Sequence, residues 1–72
     1  MNKEFLELIT KCSPVEFLGV ATMTRVAVLN KDKTPKTFDQ ILTEVLESFE
    51  KMNRAQKRKI LRIVREAVKN AD

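Results

Sequence analysis

The sequence predicts an all-α fold: a small bundle of three to four short helices, the last two an antiparallel pair. Three observations predict it. Apolar residues recur at helical spacing in separate segments. Ser, Thr and Asn stand where helices would begin, each followed three residues on by Glu or Gln. One Gly and two Pro in 72 residues are too few turn formers for an all-β domain. A chain of this length is one domain spanning residues 1–72. It lies near the size at which a single core is only marginally sufficient, which makes self-association a natural supplement.

The first helix is expected over about residues 3–12. Phe5, Leu6, Leu8, Ile9 and Cys12 share one face, and Lys3, Glu4, Glu7 and Lys11 the other, with Asn2 as N-cap. The second is expected over 14–24. It opens on Ser13-Pro14-Val15-Glu16: Ser suits the N-cap, Pro the first helical position, and Glu16 closes a capping box. Its apolar residues point in every direction, as in a helix buried on several sides, so it is read as the central element of the core. Its C-terminal end is open. The β-branched residues among Thr22 to Val28 allow residues 25–29 to become extended. Such a strand has no evident partner within the chain and would need a second copy.

Residues 30–37, polar and punctuated by Pro35, form a loop. The third helix, 38–51, follows a Thr37/Gln40 capping box. Phe38, Ile41, Leu42, Val45, Leu46 and Phe49 make an i, i+3, i+4, i+7, i+8, i+11 stripe. The fourth, 54–70, follows Asn53 with Gln56 three residues on. Its apolar face is Ile60, Leu61, Ile63, Val64, Ala67, Val68 and Ala71. The short connection at Met52-Asn53 favours an antiparallel pair. The expected core is Phe5, Ile9, Phe17, Leu18, Leu42, Val45, Phe49, Ile60, Leu61 and Val64.

Composition removes most catalytic chemistry. Without His there is no triad, and the commonest general base and metal ligand are missing. The single Cys, Cys12, builds neither an internal disulfide nor a zinc site. Near a helix C-terminus it reads as a small core residue rather than a reactive thiol. One Gly cannot form a phosphate-cradling loop. The carboxylates sit at helix-surface spacings. The chain is therefore expected to be non-catalytic, with no cofactor, no metal and no small-molecule substrate. Glu4 and Glu7 interrupt any secretory leader, and no stretch has the roughly 20 apolar residues of a membrane span. An unpaired Cys fits a reducing compartment, so the expected location is the cytoplasm.

The charge is polarised. Residues 54–72 hold seven basic and two acidic residues, a net +5, and the remainder seven basic and eight acidic, a net −1. On a helical wheel with Ile60 at zero, Arg54, Arg58, Arg62, Arg65 and Lys69 lie between about 120° and 200°. This basic stripe is about 22 Å long at 1.5 Å per residue. Such a face can bind the phosphate backbone of nucleic acid. It can also be solvated, or neutralised by Asp39, Glu44, Glu47 and Glu50 of the third helix, with Glu47 or Glu50 facing Arg54, Arg58 or Arg62. An acidic protein or an anionic membrane is a further reading.

A second surface comes from the apolar middle of the chain. If the second segment is not fully enclosed, Phe17, Val20, Val26, Val28 and Leu29 form a protein–protein or homodimer interface. Residues 18–26 also carry a superficial likeness to a helix-turn-helix, with Arg25 as the only charged reader of bases. Gly19 is read as a close helix crossing or an early helix end, or as a hinge.

Pro14-Val15-Glu16-Phe17-Leu18-Gly19-Val20-Ala21, followed by the Phe38/Ile41/Leu42 helix and the basic last helix, resembles short uncharacterised proteins of Gram-positive prophages and integrative elements. The resemblance covers most of the chain and implies a bacterial cytoplasmic accessory protein. It assigns no functional residues. The expected function is thus a small helical interaction or regulatory module with a protein partner or a second copy. The alternative is a nucleic-acid-binding protein acting through the basic stripe.

Overall fold

A computed structural model describes residues 3–70. Among them are four helices: α1 (Lys3–Lys11), α2 (Pro14–Met23), α3 (Phe38–Lys51) and α4 (Arg54–Asn70). The expected end of α1, both ends of α2 and α3, and the start of α4 hold to within one residue. Asn2 and Ala71, the expected cap of α1 and the last apolar position of α4, lie outside the described residues.

The helix starts form as local chemistry dictates. The Ser13 hydroxyl accepts from the Glu16 N–H at 3.2 Å, and the Ser13 N–H donates to Glu16 Oε1 at 2.8 Å. Thr37 and Gln40 repeat the reciprocal pattern at 3.2 and 2.9 Å. Asn53 Oδ1 accepts from the Gln56 N–H at 2.8 Å. Each satisfies backbone donors that a helix start leaves without partners.

The core is Phe5 and Ile9 of α1, Phe17, Val20 and Ala21 of α2, Ile41, Val45 and Phe49 of α3, and Ile60 and Val64 of α4. Phe5 and Phe49 stack face to face at 3.9 Å, joining α1 to the end of α3. Phe17 meets Phe38 at 4.8 Å, joining α2 to the start of α3. α4 packs most extensively against α1 and α2, and α2 against α3. The consecutive helices α3 and α4 meet through Lys57, whose ammonium lies 5.9 Å from the Phe49 ring centre.

The molecule is a slab of 34 × 30 × 17 Å. Its short dimension holds two layers of helices spaced about 8–10 Å apart. No helix can then be surrounded, and this corrects the expectation that α2 is buried on several sides. One face of α2 is buried. The other points outward, and Leu18, expected in the core, is 46% exposed there. A Cβ on Gly19 would meet nothing within 4 Å, so Gly19 marks neither a close crossing within the chain nor an early helix end.

α2 ends in a Schellman motif. The Arg25 N–H donates to the Thr22 carbonyl at 3.0 Å and the Val26 N–H to the Ala21 carbonyl at 2.9 Å, with Arg25 at φ 61°. The buried Thr24 hydroxyl is satisfied by the Val20 and Ala21 carbonyls. No helix begins after this turn, and the helix-turn-helix likeness ends there. The chain instead becomes extended and finds its partner locally, so no second copy is needed. Leu29 and Pro35 form an antiparallel bridge, and the Lys36 N–H donates to the Val28 carbonyl at 2.9 Å. The Lys33 N–H reaches the Asn30 carbonyl and the Asn30 N–H the Thr34 carbonyl, with Lys33 at φ 69°. That is a three-residue hairpin loop with Lys33 in the left-handed position usually given to Gly.

Candidate nucleic-acid interface

The apolar face of α4 fixes the direction of its charge. Ile60 and Val64 are buried four residues apart, which turns the opposite flank outward. Arg54, Arg58, Arg62, Arg65 and Lys69 are all exposed on that flank. Arg54, Lys57, Arg58 and Arg65 line a shallow groove of about 450 Å³ with Leu61, and among the described residues no acidic side chain lines it. Cations held by one helix over an apolar floor suit phosphate, because guanidinium groups offer paired donors and the helix fixes their spacing.

Neutralisation by α3 is confined to the edge of this face. Glu50 lies 4.0 Å from Lys57, which sits between the stripe and the apolar face. Glu44 is turned the other way, 2.8 Å from Lys36 of the hairpin. Glu47 borders two grooves that Lys51 also lines and that contain no residue of α4. The expected pairing of Glu47 or Glu50 with Arg54, Arg58 or Arg62 does not form. Among the described residues, no carboxylate is within ion-pair distance of Arg54, Arg58, Arg62 or Lys69. Arg65 is the exception, and its partner is Glu4 of α1. Sequence reasoning missed Glu4 because 61 positions separate the two. Lys57 was missed as a groove residue because it falls about 60° from Ile60 on the wheel, outside the stripe.

The other predicted surface divides. Phe17 and Val20 are 4% and 2% exposed and belong to the core, so neither can meet a partner. Val26 is half-buried, and only Val28 and Leu29, beside the hairpin bridge, are exposed. The apolar surface of α2 is made by other residues: Val15 and Leu18, with Met23 at the end.

Cys12 is half-buried and its thiol donates to the Leu8 carbonyl at 3.4 Å. Burial, and secondarily the charge of Glu16, pushes its pKa up, which suppresses the thiolate. Among the described residues, no three of Cys, Asp and Glu converge as metal ligands. No helix among them is long and apolar enough to cross a membrane. No protein-family model matches the chain, and no curated protein or solved structure is significantly similar to it.

Proposed function

We propose that this chain is a small non-catalytic module that binds nucleic acid through the phosphate backbone, with α4 as its contact surface. One observation carries the reading: the stripe is exposed, and among the described residues no α3 carboxylate lies within 4.0 Å of Arg54, Arg58, Arg62, Arg65 or Lys69. The Arg and Lys of the stripe are suited to phosphate contacts, and an Arg that reaches the major groove can also read a guanine edge. The stripe carries no aromatic side chain on which unpaired bases could stack. The lack of a stacking platform favours a duplex over a single strand. Such a module would serve the bacterial accessory role implied by the sequence resemblance, in the cytoplasm.

The test is fluorescence anisotropy with a short mixed-sequence duplex. Four phosphate contacts predict a log–log salt slope near −3.6, an affinity loss of about 100-fold between 50 and 200 mM salt. Arg58→Ala with Arg62→Ala should remove most of the affinity and leave the helical circular dichroism unchanged, since both side chains are exposed. No binding of duplex DNA or RNA at low salt would overturn the proposal. So would equal loss with Lys31→Ala, a cation of the hairpin loop away from the stripe.

A further inference from the structure

A second cleft lies on the other flank of α4. With Ile60 at zero on the wheel, the phosphate groove of Lys57, Leu61, Arg54, Arg65 and Arg58 spans about 60° to 160°. Gln56, Ile63 and Lys59 lie on the opposite side, between about −40° and −100°. There α4 faces the end of α2 and the α3–α4 connection across a cleft of about 560 Å³. Met23, Met52, Ile60 and Ile63 give it an apolar lining drawn from all three. Ile60 is buried, whereas Met23 and Ile63 are exposed.

The charge at this cleft has one sign. Arg25 and Lys59 line it, and among the described residues no acidic side chain does. Neither cation has a described carboxylate within 4.0 Å, although Arg25 also borders the groove that Glu44 and Glu47 line. Arg25 is held at φ 61°, where a Cβ is strained and Gly is the usual occupant. A strained residue kept at the wall of a cleft points to a use for its side chain.

We propose that this cleft docks a short acidic amphipathic helix of a partner protein. Its apolar face lies on the methionines and isoleucines, and its carboxylates meet Arg25 and Lys59. Charge complementarity selects an acidic occupant. The apolar lining selects against a phosphate backbone, which has no apolar group to bury there. The cleft is open along one side, whereas a small-molecule site encloses about 70–90% of its ligand. The length fits a helix. Gln56 to Ile63 span about 10 Å at 1.5 Å per residue, the reach of anchors at i, i+4 and i+7. Methionines suit such a surface, because their unbranched thioethers repack around unlike side chains. The site is separate from the phosphate groove and does not rest on its use.

The probe is an acetylated, amidated peptide of about 14 residues, with Leu at i, i+4 and i+7 and Glu at the flanking positions. A peptide with the same Leu pattern and Lys flanks is the control. Binding is followed by NMR on the methyl groups of Met23 and Met52. The Glu peptide should shift both methyls with a Kd between about 10 µM and 1 mM, the weak class expected of so small an area. The Lys peptide should shift neither. Lys59→Glu should weaken binding by about 10-fold or more. Arg25→Gly should weaken it by about threefold or more while raising the melting temperature, a pairing that a purely structural role for Arg25 would not produce. Arg58→Ala with Arg62→Ala should leave the affinity within about threefold at physiological salt, where distant charges are screened. Circular dichroism verifies that the variants are folded. No methyl shift with the Glu peptide up to about 1 mM overturns the proposal. So does binding that survives Lys59→Glu and is lost with the Arg58 and Arg62 pair, which would put the peptide on the basic stripe. Equal binding of the Lys peptide overturns it too. So do shifts that follow protein concentration without peptide, the mark of a second copy in the cleft, or shifts with anionic phosphatidylglycerol vesicles and not with peptide.

Discussion

Arg25→Gly should stabilise this protein although it deletes a charged side chain. Arg25 is the C′ residue of the Schellman motif and adopts φ 61°. An L-residue pays about 1–2 kcal/mol in that region, because its Cβ crowds the following carbonyl oxygen. Glycine removes the clash, and its greater freedom in the unfolded chain returns about 0.5–1 kcal/mol. The net expectation is a gain of about 0.5–1 kcal/mol. For a domain of this size, 1 kcal/mol moves the melting temperature by about 4–8 °C. Arg25→Ala separates the backbone from the side chain: it deletes the guanidinium and keeps the clash. Urea denaturation of the three proteins provides the assay. Glycine should exceed alanine by about 1 kcal/mol with no change in slope. Equal stability of the Gly and Ala variants would refute the assignment of strain to this turn.

Gly19→Ala, on the outward face of α2 with open space above it, should stabilise the monomer by about 1 kcal/mol in the same assay. Phe49→Ala removes one ring of the fully buried Phe5–Phe49 stack and should cost about 3–5 kcal/mol. For a chain expected to hold only about 4–11 kcal/mol, thermal unfolding should then broaden or begin near room temperature. Glu4→Gln releases Arg65 from its only described ion pair. Duplex affinity should rise severalfold and the salt slope steepen by up to about 0.9, with little loss of stability because the pair is exposed. Asp32 accepts the Thr34 hydroxyl and N–H, which hold its pKa below the ordinary carboxylate value. Its contribution to the hairpin is therefore present above the unfolded pKa and fades as pH falls through the lower folded one. The Thr34 amide shift, followed by NMR on acidification, should titrate below the range of an unstructured Asp.

The helices were legible wherever the signal was local. Ser13-Pro14-Val15-Glu16 and Thr37-Gln40 define their own starts through bonds that span three residues, so no tertiary contact is needed to place them. The apolar stripes of α3 and α4 located Val45, Phe49, Ile60 and Val64. Leu42 and Leu61, expected in the core, are only partly buried, Ile41 takes a core place instead, and Phe38 and Ile63 stay exposed. A stripe gives the direction of the inward face, and packing decides its width. The two left-handed turns were hidden. Arg25 and Lys33 occupy positions that sequence rules reserve for Gly, so neither the end of α2 nor the hairpin loop carried its usual mark.

What the sequence determined by itself was an all-α chain, the four helices, and a last helix that carries the whole positive surplus on one flank. What the tertiary structure alone decided was the use of each surface. α2 is apolar all round, so nothing in its pattern could choose between Leu18 and Phe17 as the buried residue. Packing against α3 and α4 chose Phe17 and left Val15, Leu18 and Gly19 outside. The openness of the basic stripe was likewise a question of distance between elements. Glu44 reaches Lys36, Glu4 reaches Arg65, and Arg54, Arg58 and Arg62 have no described carboxylate within 4.0 Å. Charge sign is written along a chain, but Coulomb energy depends on separation in space, which only the fold supplies.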